Sequence, residues 1–289
     1  MDIFIVDISC WLIWVTLALH GFEERRRCSV TSLATTPTTK RELAESGLLE
    51  QPILATQPKP LHILVPSRSA RFRSSDVVPH VWAGPLPTSE CFRRLAPHVY
   101  VATVEFCFLL LASYLPQWRL IAFGYELCGG YYLLPDQGHK GTDRQDPDAD
   151  GFDYCVPVTD VGRLRAFVER CKGMPGYTQA SKALDWVLEG SRSPRETALT
   201  MLLCLPAALG GYALPLPYLN RKVNLSPRGT RLAGVDWLIP DLCWPDFKVV
   251  SNTTATSTTQ GTRNVASAQP CAPRPLKPAA GVSSQSHRT

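Results

Sequence analysis

Two sets of carboxylates in this chain have residue types and spacings that could support chemistry. Asp146-Pro-Asp-Ala-Asp150-Gly151 matches the opening of a calcium-binding EF-hand loop, where oxygen ligands alternate and a glycine makes the turn. The twelfth position of such a loop should be a bidentate Glu, and here it is Pro157. No helical pattern abuts the loop's start, so an acidic, solvated loop accounts for the stretch. The second set is Glu196 with Asp241. Glu196 ends Ser193-Pro-Arg-Glu196 at the head of an apolar helical pattern, and Asp241 opens Asp241-Leu-Cys-Trp-Pro-Asp-Phe-Lys-Val-Val250. On their own residues, Ser193 and Glu196 make a capping box with Pro194 at the first helical position, and Asp241 closes a turn after Pro240.

Other reactive residues are scattered. His20, His62, His80, His98, His139 and His287 form no His-x-x-x-His and have no carboxylate at ligand spacing. His62 and His80 fall in predicted strands and read as packed or edge residues. The ten Cys include no Cys-x-x-Cys, and Cys107, Cys128, Cys171 and Cys204 sit inside apolar helical patterns. That usage fits buried reduced thiols better than a zinc site or a disulfide framework, and it points to the cytoplasm. No Gly-x-Ser-x-Gly, phosphate-binding Walker loop or dinucleotide fingerprint occurs, so no small-molecule cofactor is expected.

The elements that must position these residues are mixed. Period-2 apolar runs predict strands over residues 61–65, 77–82 and 99–104, then 222–225, 237–242 and 247–250. Helical periodicity predicts helices over 41–50, 105–114, 117–128 and 179–188. Thr159 is positioned to cap another, whose apolar face is Val161, Leu164, Phe167, Val168 and Cys171, and a further helix opens at Ser193. The fold class is therefore α+β. The segments read as an apolar N-terminal stretch (1–28), a mixed α/β region (29–134), an acidic linker (135–155), a second domain (156–250) and a tail (251–289).

Residues 3–19 have nearly the length of a membrane span but carry Asp7 and lack a basic n-region. A buried strand running into a core helix explains them, with a membrane anchor as the other reading. The tail has no Asp or Glu, one Leu and two Val, which predicts disorder. Arg263, Arg274, Lys277 and Arg288 put four of the five net positive charges there, so residues 1–250 carry a net charge of only +1. Overall charge alone argues little for nucleic-acid binding by the folded part.

Taken together, Ser193-Pro-Arg-Glu-Thr-Ala-Leu-Thr-Met-Leu-Leu-Cys-Leu205 and Asp241-Leu-Cys-Trp-Pro-Asp-Phe-Lys-Val-Val250 resemble the PD-(D/E)XK nuclease superfamily. The resemblance is to small bacterial proteins related to very-short-patch-repair endonucleases, and it covers roughly residues 156–250. In that family a helix beginning Ser-Pro-x-Glu precedes a hairpin whose second strand ends Glu-x-Asp. The resemblance implies a restriction-endonuclease-like α/β domain acting on DNA with a divalent metal, Mg2+ being the expected ion. It also implies Glu196 and Asp241 as metal ligands and Lys248 as the basic catalytic residue of the second strand. The metal would activate water and neutralise phosphodiester charge.

The chain departs from the family where the third ligand belongs: Ser251-Asn-Thr253 stands in place of Glu-x-Asp. Codon degeneracy allows Glu-Tyr-Asp there in another frame, so an out-of-frame tail is one explanation. The domain is expected to be incomplete and its cleavage activity impaired. A weaker resemblance, carried by Leu61-His-Ile-Leu-Val-Pro66, Arg71-Phe-Arg73 and Pro85-Leu-Pro87, is to abortive-infection-type antitoxins. It implies a non-catalytic DNA-binding regulator with Arg71 and Arg73 against DNA, although no helix-turn-helix is legible in residues 1–50.

Overall fold

The structure is a computed structural model that describes residues 1–19, 28–55, 57–134 and 151–253. The acidic motif Asp146–Asp150 and the tail from residue 254 onward lie outside the described residues.

The chain opens with β1 (Ile3–Ile5), whose three apolar residues are fully buried, and turns directly into α1 (Asp7–Leu19). Two short helices follow, α2 (Lys40–Glu45) and α3 (Pro52–Ala55). Then come β2 (Leu61–Val65), β3 (Val77–Val81), β4 (Phe92–Ala96) and β5 (Val99–Ala102). They build one five-stranded sheet in the order β3-β2-β1-β5-β4. β1 lies at its centre, parallel to β5 and antiparallel to β2, and β2 runs parallel to β3. A central strand covered on both faces needs an unbroken apolar run, which Ile3-Phe4-Ile5 supplies. The strand-into-helix reading of residues 3–19 is what the structure shows. Among the described residues no helix is long and apolar enough to cross a membrane.

Four further helices follow, α4 (Val104–Leu111), α5 (Gln117–Leu127), α6 (Val161–Arg170) and α7 (Tyr177–Leu184). α1 packs on β2 and β5, α4 packs on α1 and reaches β4 through Phe106 and Phe92, and α5, α6 and α7 pack on α4. A two-stranded ribbon, β6 (Tyr131–Leu133) with β7 (Phe152–Tyr154), stands between them in sequence. α4 starts where Thr103 accepts a hydrogen bond from Phe106 N–H. α6 starts one residue later than the sequence implied. Asp160, not Thr159, takes the Arg163 N–H at 2.7 Å, while Thr159 donates its hydroxyl to Glu105 at 2.9 Å. The ionised carboxylate is the stronger acceptor for an orphan helix donor.

The described residues through Thr253 form one compact unit. Its core joins residues from both sides of the interval 135–155 in sequence: Phe106 meets Trp82 and Phe92 edge-on and also contacts Phe167. The C-terminal part adds α8 (Pro194–Cys204), β8 (Tyr218–Leu219), β9 (Val223–Asn224), α9 (Pro227–Ala233), β10 (Trp237–Leu238), β11 (Leu242–Trp244) and β12 (Val249–Ser251). β8, β11 and β12 form an antiparallel sheet in the order β12-β11-β8, and α8 packs on it through Cys204, Leu242 and Trp244. The single strand expected over 237–242 is two. Trp237–Leu238 pairs with β9 and Leu242–Trp244 with the three-stranded sheet, the break falling at Pro240, which has no N–H to donate.

Candidate functional site

Glu196 and Asp241 come together. Ser193 caps α8 by accepting the Glu196 N–H at 3.2 Å, and the Glu196 carboxylate folds back to take the Arg192 N–H at 2.9 Å. The capping-box reading is thus met in substance, with the returning contact one residue before the cap. Glu196 as a whole is 5% exposed, and its carboxylate also accepts from the Asn220 side-chain amide at 2.7 Å. Asn220, in the left-handed region at φ 49°, donates its backbone N–H to the carbonyl of Asp241 at 3.0 Å. One residue therefore links the head of α8 to the start of β11.

The groups that donate to both carboxylates are neutral. Burial pushes the Glu196 carboxyl up; hydrogen bonds from Arg192 and Asn220 oppose the rise, the negative charge of Asp241 adds to it, and the net shift is upward. Asp241 is half-buried, and its Oδ2 accepts the Thr253 N–H at 2.5 Å and the Thr253 hydroxyl at 2.6 Å. Among the described residues no third His, Cys, Asp or Glu joins this pair to complete a set of three ligands. The residues present do not make the hard-oxygen site that a catalytic Mg2+ requires, and no hydrolytic step follows from them.

Lys248 is not drawn to the pair. It sits exposed at φ 52° in the turn that joins β11 to β12, whereas Asp241 lies at the opposite end of that hairpin. The sequence placed Lys248 inside the second strand, but the 3-10 turn Pro245–Phe247 delays the strand to Val249. Arg71 and Arg73 are exposed on the connection between β2 and β3, remote in sequence from the carboxylate pair.

A second constellation was not legible in the sequence. Asp7, His62 and His80 bring one ligand atom each into a single cluster. His62 pairs with Val78 across the parallel β2–β3 ladder, so His80, two residues further along, emerges on the same face. Their ring centroids are 5.0 Å apart, with the planes inclined at 23°. Asp7 is the first residue of α1, and its φ of 58° turns the chain sharply from strand to helix. Burial disfavours ionisation of Asp7, but hydrogen bonds from His62 and Tyr114 and the charges of His62 and His80 outweigh it and hold the carboxyl low. Burial likewise pushes the His80 imidazole down, against the pull of Asp7. The only sequence signal was an Asp inside an otherwise apolar segment.

No family model matches this chain, and no curated protein or solved structure matches it.

A third feature is basic. No Asp or Glu occurs between Glu196 and Asp236, while Arg221, Lys222, Arg228 and Arg231 are all exposed within that interval. Arg221 lies over the Tyr218 ring at 4.2 Å, and Lys222 over the Trp237 ring at 4.6 Å.

Proposed function

We propose that this protein is a nuclease-like DNA-binding protein whose phosphodiesterase site is incomplete. The observation that carries the reading is that Asn220 joins the Glu196 carboxylate to the backbone carbonyl of Asp241, with Ser251 and Thr253 standing where the resemblance expects Glu and Asp. The basic, aromatic-interleaved surface of residues 218–237 supports DNA as the partner, because cations answer phosphates and exposed rings stack on bases. With two carboxylates and no third ligand, affinity for Mg2+ is low and turnover is impaired.

The alternative is a DNA-binding regulator of the antitoxin type, which would bind through Arg71 and Arg73 with no call on Glu196 or Asp241. Fluorescence anisotropy on a labelled duplex, titrated at several salt concentrations, separates the two. The nuclease-like reading expects salt-sensitive binding that R221A/K222A weakens and R71A/R73A leaves in place. Binding that follows R71A/R73A instead favours the regulator, and absence of any salt-sensitive binding overturns both.

A further inference from the structure

We propose that Asp7, His62 and His80 form a binding site for a divalent transition-metal ion of the zinc class, separate from the Glu196–Asp241 pair. The geometry of three atoms carries the inference. His62 Nδ1 and His80 Nε2 are 2.9 Å apart, and Asp7 Oδ2 lies 3.2 Å from the first and 3.3 Å from the second. A point about 2.0–2.1 Å from all three atoms sees them at angles of roughly 90–110°, the spread of three corners of a distorted tetrahedron around zinc.

Protons do not satisfy this triangle. An ionised carboxylate only accepts, and each imidazole nitrogen either donates or accepts. If one of the two ring nitrogens carries hydrogen, the N···N contact is a hydrogen bond, but the bare nitrogen then faces the Asp7 oxygen lone pair to lone pair. If both carry hydrogen, each serves Asp7 but two donors collide at 2.9 Å. Tyr114 adds a further donor to the same Oδ2. A cation at the centre meets three lone pairs at once and leaves the Tyr114 hydroxyl to orient the ligating carboxylate from outside, as supporting hydrogen bonds do in metal sites.

Two imidazoles and one carboxylate select a borderline ion such as Zn2+ or Co2+ over Mg2+, which prefers oxygen alone. The three side chains keep 15–24% of their surface exposed, so a fourth position stays open to water or to a ligand. The ion would also fasten the β1–α1 junction to β2 and β3 at one end of the sheet.

The test uses the full chain, stripped of metal with a chelator. Zn2+ is titrated calorimetrically, and Co2+ is added to read tetrahedral d–d absorption. The expected result is one ion per chain and a thermal midpoint raised by Zn2+. Affinity should fall by at least about 100-fold in H80A, since even an outer partner is worth roughly 10–100-fold. D7N, which keeps the volume and much of the hydrogen bonding, serves if H80A does not fold, and it is expected to lose the same affinity. E196Q/D241N should bind Zn2+ as the wild type does. The proposal is overturned if the wild type takes up no Zn2+, or if H80A and D7N bind it undiminished.

Discussion

Thr253 donates twice to Asp241, through its backbone N–H at 2.5 Å and its hydroxyl at 2.6 Å, both to Oδ2. These two bonds engage the lone pairs of that one oxygen. Together with the Asp241 N–H donated to Asn252 Oδ1 at 3.2 Å, they fasten the end of the hairpin back on the start of its first strand. The Glu and Asp that the resemblance expects at 251 and 253 would contribute charge to the site. A threonine contributes only hydrogen bonds, which favours a folded, quiet site over a reactive one.

Asn220 is the residue on which this arrangement hangs. Its amide serves Glu196 and the carbonyl of Gly190 at 2.9 Å. Asn220→Ala leaves a buried carboxylate short of a donor, and we expect a loss of about 2–3 kcal/mol at pH 7.5. The loss should shrink as pH falls, because protonating Glu196 removes the buried charge. Urea denaturation at pH 7.5 and pH 5 checks this, and a loss under about 0.5 kcal/mol at the higher pH would contradict it.

Glu126 makes stability fall as pH rises. Its carboxyl is buried and pushed up to about 7, chiefly by desolvation, although it accepts from Leu133 N–H and Trp11 Nε1 at 2.8 and 2.9 Å. A folded-state value above the unfolded one means that the folded state holds the proton more tightly. The stabilisation is complete below the unfolded value near 4.5 and is lost as pH climbs through about 7. The span corresponds to something on the order of 3 kcal/mol. Glu126→Gln should flatten this part of the pH profile and be relatively more stable at pH 8. Parallel thermal-melt profiles for the two proteins would refute this if they run parallel from pH 4.5 to 8.

Phe106 joins the two halves of the core through Trp82, Phe92 and Phe167. Phe106→Ala should cost about 3–5 kcal/mol, as fully buried rings do. Because the core is shared, unfolding of the whole unit through Thr253 should shift as one transition. Near- and far-ultraviolet circular dichroism that separate into two transitions, only one of them moved by the substitution, would argue otherwise.

Much of the fold was legible because its signals are local. The run Leu61–Val65 and the helix Gln117–Leu127 are read from periodicity, and the start of α8 from its cap. β4 was missed because Phe92-Arg-Arg-Leu-Ala96 carries two charges in a strand at the sheet edge. The Glu196–Asp241 pairing was legible only as a resemblance, since Asn220, which joins them, announces nothing in sequence. Asp7, His62 and His80 were illegible for a stronger reason. Their proximity depends on β1 inserting beside β2 and on a two-residue offset between parallel strands, and no spacing along the chain encodes either.

The most direct test of the incomplete-site account is Mn2+ affinity, read by electron paramagnetic resonance, for the wild type beside Ser251→Glu/Thr253→Asp. The histidine cluster is common to both proteins, so the difference between them reports the carboxylate site alone. We predict at least about ten-fold tighter binding in the double variant, a gain that vanishes when Glu196→Gln is added. Equal affinity in the two proteins, or a gain that survives loss of Glu196, would contradict the account.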